Sequence, residues 1–324
     1  MNGVPPAVAT AIALPPSVRA ALERHAHVFD IIDRPRATWP MSVETAQALL
    51  IGSGVKLTGD LLDGLPGVRL IATQSVGYDN VDLAELHRRG IAFTNSRGSL
   101  IEAVADISYL LVIAAMRGIA RGINWVRDGR WLQHGDMPFG RDLDGATLGI
   151  VGLGDIGSAL ARRARVSGMR VIYANRTPRS DDAANGNAYR TFSALLGEAD
   201  CVVALVPLTP QTRGMFDAQA FAAMKPSAVF VNVARGAVAD TAALLHALEA
   251  KQIAGAALDV TDPEPLPHDH PLVGRDDVLI VPHVGSATVE TRTRMAMVAA
   301  ENVIAYLDGK PLLTAVEGFG RPSE

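Results

Sequence analysis

Short apolar runs alternate with stretches of helical periodicity along this chain, and the alternation falls into two series. In the first, Ala7 to Leu14, Val28 to Ile32, Leu70 to Thr73 and Ile91 to Thr94 predict strands, and Val43 to Leu50 and Asp82 to Arg89 predict helices. In the second, strands are expected at Thr147 to Val151, Arg170 to Ala174, Cys201 to Val206, Val229 to Val233, Gly255 to Leu258 and Val278 to Val281. Continuous apolar strands separated by helices are what parallel sheets covered on both faces require, so the pattern predicts an α/β protein with two doubly wound parallel-sheet domains. A helix from Ser99 to Met116, opened by a capping arrangement of Ser99 with Glu102, joins the two series. Pro282 closes the second, and Ala287 to Leu307 is a helical pattern too isolated to be a domain. Returned to the first series, that helix makes the first domain discontinuous, residues 1–98 and 287–324. Residues 99–286 are then inserted into it, with a hinge over a cleft.

The second series opens on Gly152-Leu153-Gly154-Asp155-Ile156-Gly157, directly after the first predicted strand. A strand feeding such a turn points the amides at the start of the next helix, from Asp155 and Ile156 onward, at a pyrophosphate. Gly152 permits the tight turn, Gly154 the close approach of phosphate, and Gly157 the packing of helix on strand. Asp155 to Val166 reads as an amphipathic helix with Ile156, Leu160, Ala161 and Ala164 inward, and Gly168 stops it before the strand Arg170 to Ala174. One complete βαβ unit results. A lone fingerprint is a weak signal, and this context strengthens it. Where an NAD site usually carries a carboxylate for the ribose 2′-hydroxyl, the chain has Asn175, Arg176 and Thr177. An anion is expected there, so NADPH is the preferred cofactor and NADH the second.

The composition narrows the partners. The chain has 324 residues, 48% hydrophobic and 20% charged, and a net charge of -4 without a long basic run. That balance argues against a nucleic-acid surface or a membrane-attracting patch, which leaves a small molecule as the expected substrate. The N-terminal apolar stretch is broken by Pro5, Pro6, Pro15 and Pro16 and reads as a strand rather than a signal peptide. A single cysteine, Cys201, sits inside an apolar run, where it is expected in the core of a cytoplasmic protein. His268-Asp269-His270 is the one cluster that invites a metal, and no further ligands follow at metal-site spacing, so no metal is expected.

Three segments place a polar group just beyond an apolar strand: Asn232 to Gly236 with Arg235, Asp259 to Pro265 with Glu264, and Pro282 to Ala287 with His283. The carboxyl ends of parallel strands face the ligand crevice, so the three side chains can converge although far apart in sequence. With Ser75-Val76-Gly77-Tyr78-Asp79-Asn80-Val81-Asp82, Glu102 to Asp106, the glycine fingerprint and Pro207 to Arg213, these segments make the chain similar to the D-isomer-specific 2-hydroxyacid dehydrogenases from about Val68 to Leu307. Within that family it most resembles the glyoxylate/hydroxypyruvate reductases and the related hydroxyphenylpyruvate reductases. Gly135 to Pro138 and Arg176 carry the narrower likeness.

The resemblance implies a Rossmann cofactor domain inserted in a flavodoxin-like substrate domain, and reduction of a 2-oxo acid. Such chemistry needs a hydride on the carbonyl carbon, a proton on its oxygen and a grip on the carboxylate. By resemblance His283 gives the proton, Glu264 orients its imidazole, and Arg235 offers a planar fork to the substrate. Ser75, Val76 and Gly77 join Arg235 and His283 in binding substrate, with the amides of Val76 and Gly77 on the carboxylate. The same likeness extends the cofactor contacts to Val206, Pro207, Thr212, Val233, Ala234, Asp259 and Gly285. It also implies a homodimer in which Ile119 to Leu143 embraces the neighbouring copy. Two positions depart from the family: Asn95-Ser96-Arg97-Gly98 stands where Asn-Thr-Pro is usual, with Arg97 expected at the surface, and Thr261 stands where many relatives carry an aromatic. Formate dehydrogenases resemble the chain too, but carry Gln at the position of Glu264. Phosphoglycerate dehydrogenases and, from another class, the C-terminal binding protein corepressors share the architecture.

Overall fold

The computed structural model describes residues 6–180 and 185–320, and the chain divides into two units, Met1–Leu100 with Thr288–Glu324, and Ile101–Ala287. In the first unit five strands, β1 (Ala7–Thr10), β2 (His27–Asp30), β3 (Ala46–Ile51), β4 (Leu70–Thr73) and β5 (Ala92–Thr94), form one sheet in the order β2-β1-β3-β4-β5. Every pairing is parallel. Successive strand residues point to opposite faces, and the core divides accordingly. Leu49, Ile51, Ile71 and Phe93 pack on one side with Leu62 and Leu86, while Val8, Leu50, Leu70 and Ala92 pack on the other. The helix Val289–Leu307 lies on that second side and buries Ala296, Ala299, Ala300 and Val303 there, beside Val18 and Leu22 of the helix Pro16–Glu23.

The helix predicted for Val43 to Leu50 is not formed. Met41–Thr45 makes a short 3₁₀ turn, and the chain then runs as β3, the central strand of the sheet. Ala48, Leu49, Leu50 and Ile51 are all 0% exposed, so this strand is apolar on both faces and its pattern carries no alternation to set it apart from a buried helix. Ser99 likewise does not cap. Its hydroxyl donates to the Ser96 carbonyl at 2.6 Å, and the helix begins at Ile101.

The second unit carries β6 (Thr147–Val151), β7 (Arg170–Ala174), β8 (Asn187–Tyr189), β9 (Cys201–Ala204), β10 (Val229–Asn232), β11 (Gly255–Leu258) and β12 (Val278–Ile280) in the order β12-β11-β10-β9-β6-β7-β8. All pairings are parallel. This is the strand order of the dinucleotide-binding fold, extended by one strand. β8 is too short and too polar for the periodicity to reveal; it forms the edge next to β7. The order reverses between β6 and β9, so the chain leaves those two strands in opposite directions and opens a crevice at their carboxyl ends. Cys201 is fully buried in β9, and burial pushes its thiol above the usual range.

Among the described residues, no group of three or more His, Cys, Asp or Glu side chains is arranged to hold a metal, and no single helix is long and apolar enough to cross a membrane. His25, His27, His87, His134 and His246 are exposed, as is Arg97.

Two predictions follow from the packing. The Thr94 hydroxyl is fully buried without a hydrogen-bond partner among the described residues. Thr94→Val removes that unmet group at constant shape, so the melting temperature should stay level or rise, on the scale of about 1 kcal/mol; a clear fall would show that the hydroxyl is satisfied. Ion pairing holds three carboxyls down at about 2: Glu85 through Arg88 and Arg89, Glu198 through Arg190 and Arg170, and Asp276 through Arg130. A depressed pKa contributes stability that is present above the unfolded value and lost as pH falls through the folded one. Urea midpoints should therefore drop between about pH 4.5 and pH 2, and Asp276→Asn should flatten that slope.

Candidate active site

The glycine turn after β6 is held from three directions. The Gly152 amide donates to the Ala174 carbonyl at 2.9 Å, tying the turn to the end of β7. Gly152 has φ +103, and a Cβ there would lie 2.8 Å from the Leu205 carbonyl carbon beyond β9. A Cβ on Gly157 would sit 2.7 Å from the Gly152 oxygen. Both positions therefore need glycine. Gly154 differs, because a Cβ there would meet nothing within 4 Å, and the space above it is open to an approaching group.

The helix Asp155–Val166 that follows has Gly154 as its N-cap and no side-chain cap, whereas Thr191, Asp217 and Asp240 each cap their helices with a side-chain oxygen. Its first amides are left to a ligand, and open space over uncapped amides at a positive helix end fits a dinucleotide pyrophosphate. At the end of β7 the Asn175 side chain turns toward this loop. Its Oδ1 accepts the Leu153 amide at 2.7 Å and its Nδ2 approaches the Leu153 carbonyl at 3.4 Å. Arg176 and Thr177 are exposed just beyond.

Arg179 escaped the sequence reading. Its Nη1 donates to the Leu153 carbonyl at 3.2 Å, and its amide donates to the Tyr173 hydroxyl at 2.8 Å. The signal was a second arginine three positions after Arg176.

Glu264 and His283 meet directly. His283 Nδ1 lies 2.6 Å from Glu264 Oε1, and both side chains are 41% exposed. His283 is held by its backbone, which sits in the left-handed region at φ +53. A non-glycine residue occupies that region only when its surroundings insist on it. Here the surroundings are Asp259, at the end of β11. The Asp259 carbonyl accepts the His283 amide at 2.8 Å, while its Oδ1 and Oδ2 accept the amides of Val284 and Gly285 at 2.7 and 3.0 Å. Asp259 is 2% exposed, and burial pushes its carboxyl upward against the lowering effect of those two amides.

The Arg235 loop is fixed by its neighbours as well. Asn232 Nδ2 donates to the Arg235 carbonyl at 3.0 Å, and Asn232 Oδ1 accepts the Ala234 amide at 3.1 Å. Gly236 packs backbone against backbone on Thr261 and Asp262, where a Cβ would come within 1.9 Å of the Thr261 oxygen. The loop bearing Arg235 is thus pressed on the segment bearing Glu264. A cavity of about 650 Å³ opens beside Asp259, Thr261, Glu264 and His283, with Ile123 and Val273 also in its wall.

Other sequence-named residues are placed as follows. Val233 and Ala234 are buried after β10, while beyond β9 Val206 is half-buried and Pro207 is exposed. Thr212 donates its hydroxyl to the Pro207 carbonyl at 2.6 Å and accepts the Thr209 amide at 2.8 Å, so it shapes its own loop. In the first unit, Ser75 also spends its hydroxyl locally, on the Gly77 carbonyl at 2.8 Å. His270 Nδ1 accepts the Leu272 amide at 3.2 Å.

Comparison with known proteins gives consistent results. Residues 109–285 match the profile of the D-isomer specific 2-hydroxyacid dehydrogenase NAD binding domain. The chain is 40% identical over 282 residues to a glyoxylate reductase of Pyrococcus furiosus, spanning 85% of this chain and 84% of that one. It is 42% identical over 257 residues to a glyoxylate reductase of Korarchaeum cryptofilum, spanning 78% and 77%. Among solved structures, the NADPH-dependent glyoxylate/hydroxypyruvate reductase of Sinorhizobium meliloti, in complex with NADP and malonate, is similar with a TM-score of 0.87 and 33% identity over 99% of this chain and 100% of that one.

Removing the Asp259 carboxylate should release the turn that carries His283. Asp259→Ala strands two amides that are now paired, each at a cost of about 1–3 kcal/mol, so the unfolding free energy should fall by roughly 2–6 kcal/mol. Amide exchange at Val284 and Gly285 should quicken in step. A loss under about 0.5 kcal/mol, within ordinary surface-mutation scatter, would mean that the turn holds itself.

Proposed function

Since the chain belongs to the D-isomer specific 2-hydroxyacid dehydrogenase family, we propose that it is an NADPH-preferring reductase of small 2-oxo acids, glyoxylate and hydroxypyruvate among them, to D-2-hydroxy acids. The observation that carries this reading is the 2.6 Å contact of His283 Nδ1 with Glu264 Oε1 on the rim of the unit that holds the glycine fingerprint. We assign residues 99–286 to cofactor binding and residues 1–98 with 287–324 to the substrate.

A reduced nicotinamide, when bound, supplies the hydride that the carbonyl carbon takes up. The rest falls to the chain. With Nδ1 engaged by Glu264, the His283 ring presents Nε2, and the proton held there passes to the carbonyl oxygen as the alcohol forms. The imidazolium becomes a neutral imidazole whose remaining proton stays on the Glu264 side. Glu264 thus sets ring orientation and tautomer, as an orienting carboxylate does in other acid–base pairs. Arg235 binds the substrate carboxylate through its planar fork and polarises the carbonyl. Val76 and Gly77 give amides to the same carboxylate, with Ser75 shaping their loop.

The preference for NADPH rests on the end of β7. Asn175 is an amide turned onto Leu153, so no carboxylate stands where a 2′-phosphate would be repelled, while Arg176 and Thr177 are exposed and Arg179 is close by. The NADP bound in the Sinorhizobium meliloti protein supports the same choice. We further propose a cytoplasmic homodimer. Ile123, Val126, Leu132 and Phe139 expose apolar surface along Ile119 to Leu143, as a pairing face requires, and a buried free thiol at Cys201 suits a reducing compartment.

Two kinetic tests separate the parts. Arg176→Ala should weaken NADPH by about 10- to 100-fold, the scale of a lost hydrogen bond to a charged group, and leave NADH nearly unchanged. A wild-type preference for NADH, or equal losses for both, would overturn the cofactor assignment. His283→Gln should lower turnover of glyoxylate by roughly 10²- to 10⁴-fold at unchanged cofactor affinity. Retention of half the wild-type rate would remove His283 from proton transfer.

A further inference from the structure

The loop Ser75–Gly77 is gripped from behind by the two residues that follow β5. The Ser96 amide donates to the Ser75 carbonyl at 3.0 Å, and Asn95 Nδ2 donates to the Val76 carbonyl at 3.0 Å. In a trans peptide the carbonyl and the amide of one plane point in opposite directions. Pinning the Ser75 carbonyl therefore aims the Val76 amide away from β5, and pinning the Val76 carbonyl does the same for the Gly77 amide. Neither amide donates to an acceptor among the described residues. Two successive amides aimed to one side form an anion-binding pair.

Asn95 is itself buttressed. It is 8% exposed, its Oδ1 accepts the Arg97 amide at 3.3 Å, and its amide donates to the Thr314 carbonyl at 3.2 Å. The Thr314 hydroxyl donates back to the Asn95 carbonyl. Thr314 is set by Asn302, buried in the helix Val289–Leu307, whose Oδ1 accepts the amides of Leu313 and Thr314 at 2.9 and 3.1 Å. A chain of hydrogen bonds thus runs from that helix through the segment after it to the back of the Ser75–Gly77 loop.

We propose that Asn95 is a positioning residue for the substrate carboxylate: held by Thr314, it fixes the Val76 peptide so that the Val76 and Gly77 amides stay aimed at the anion. This rests on the reading that the loop binds the 2-oxo acid. Asn95 touches neither substrate nor cofactor in this role, and its effect is confined to how well the carboxylate is held.

The test is a split of kinetic constants in Asn95→Leu, which keeps the volume and deletes the donor. KM for glyoxylate and the inhibition constant of oxamate, a 2-oxo acid analogue, should both rise about tenfold, the scale of one hydrogen bond. KM for NADPH should stay within about twofold, a difference under 0.5 kcal/mol. Thr314→Val, which keeps Asn95 and removes only the hydroxyl behind it, should shift the same two constants in the same direction by about two- to fivefold, and it decides the matter if Asn95→Leu fails to fold. Val76→Pro deletes one of the loop amides outright and tests the underlying reading. If Val76→Pro raises KM for glyoxylate while Asn95→Leu and Thr314→Val do not, the positioning role is wrong. If Val76→Pro leaves KM unchanged, the loop does not bind the carboxylate and the proposal falls with that reading.

Discussion

The geometry of the candidate site depends on one buried carboxylate. Asp259 leaves β11 with three consecutive amides bonded to it: that of His283 on its carbonyl, and those of Val284 and Gly285 on its two side-chain oxygens. Placing a carboxyl at 2% exposure is costly, and paired amides offset that cost. The reward is a turn that forces His283 to φ +53 and delivers its ring to Glu264 at 2.6 Å. Asn232, on the adjacent strand, does the same work for Arg235 through the carbonyl of that residue and the amide of Ala234. In both cases a polar residue at the last position of a buried parallel strand, or just past it, shapes the loop that bears the candidate side chain. The sheet supplies rigidity, and a single side chain converts it into direction.

The cofactor side follows the opposite rule. Where Thr191, Asp217 and Asp240 close their helices with an oxygen, Gly154 offers none, and the open space above it leaves the helix amides to a ligand. Asn175 then holds the turn through Leu153. Its amide does structurally what a carboxylate also could, without presenting a negative charge at the end of β7. The proposed choice of NADPH and the rigidity of the turn thus meet at one residue.

Much of this was legible in the chain. The glycine fingerprint, the strand that precedes it and the helix from Asp155 to Val166 come out with the expected bounds, because amphipathic periodicity and glycine sterics are local properties. Glu264 and His283 follow strand ends in the sequence, and they touch in the structure. What stayed hidden is non-local. Val43 to Leu50 looked helical because a strand buried on both faces has no alternation to read, and β3 proved to be the centre of its sheet. Ser99 looked like a cap because its spacing to Glu102 fits one, whereas its hydroxyl is taken by Ser96. Asp259 stands among the expected cofactor contacts, and folding gives both its side-chain oxygens to the amides of Val284 and Gly285. Arg179 and Asn95 needed the partners that folding gives them.

The central claim is that Glu264 holds the proton of His283 Nδ1 so that Nε2 faces the reaction. Nuclear magnetic resonance of protein labelled with heavy nitrogen in histidine, with the His283 signals assigned by their absence in His283→Gln, reads the tautomer directly. In the neutral ring the account predicts a protonated Nδ1 whose signal changes in Glu264→Gln, and a bare Nε2. A neutral His283 protonated on Nε2 with Nδ1 bare, unmoved by loss of the Glu264 charge, would contradict it.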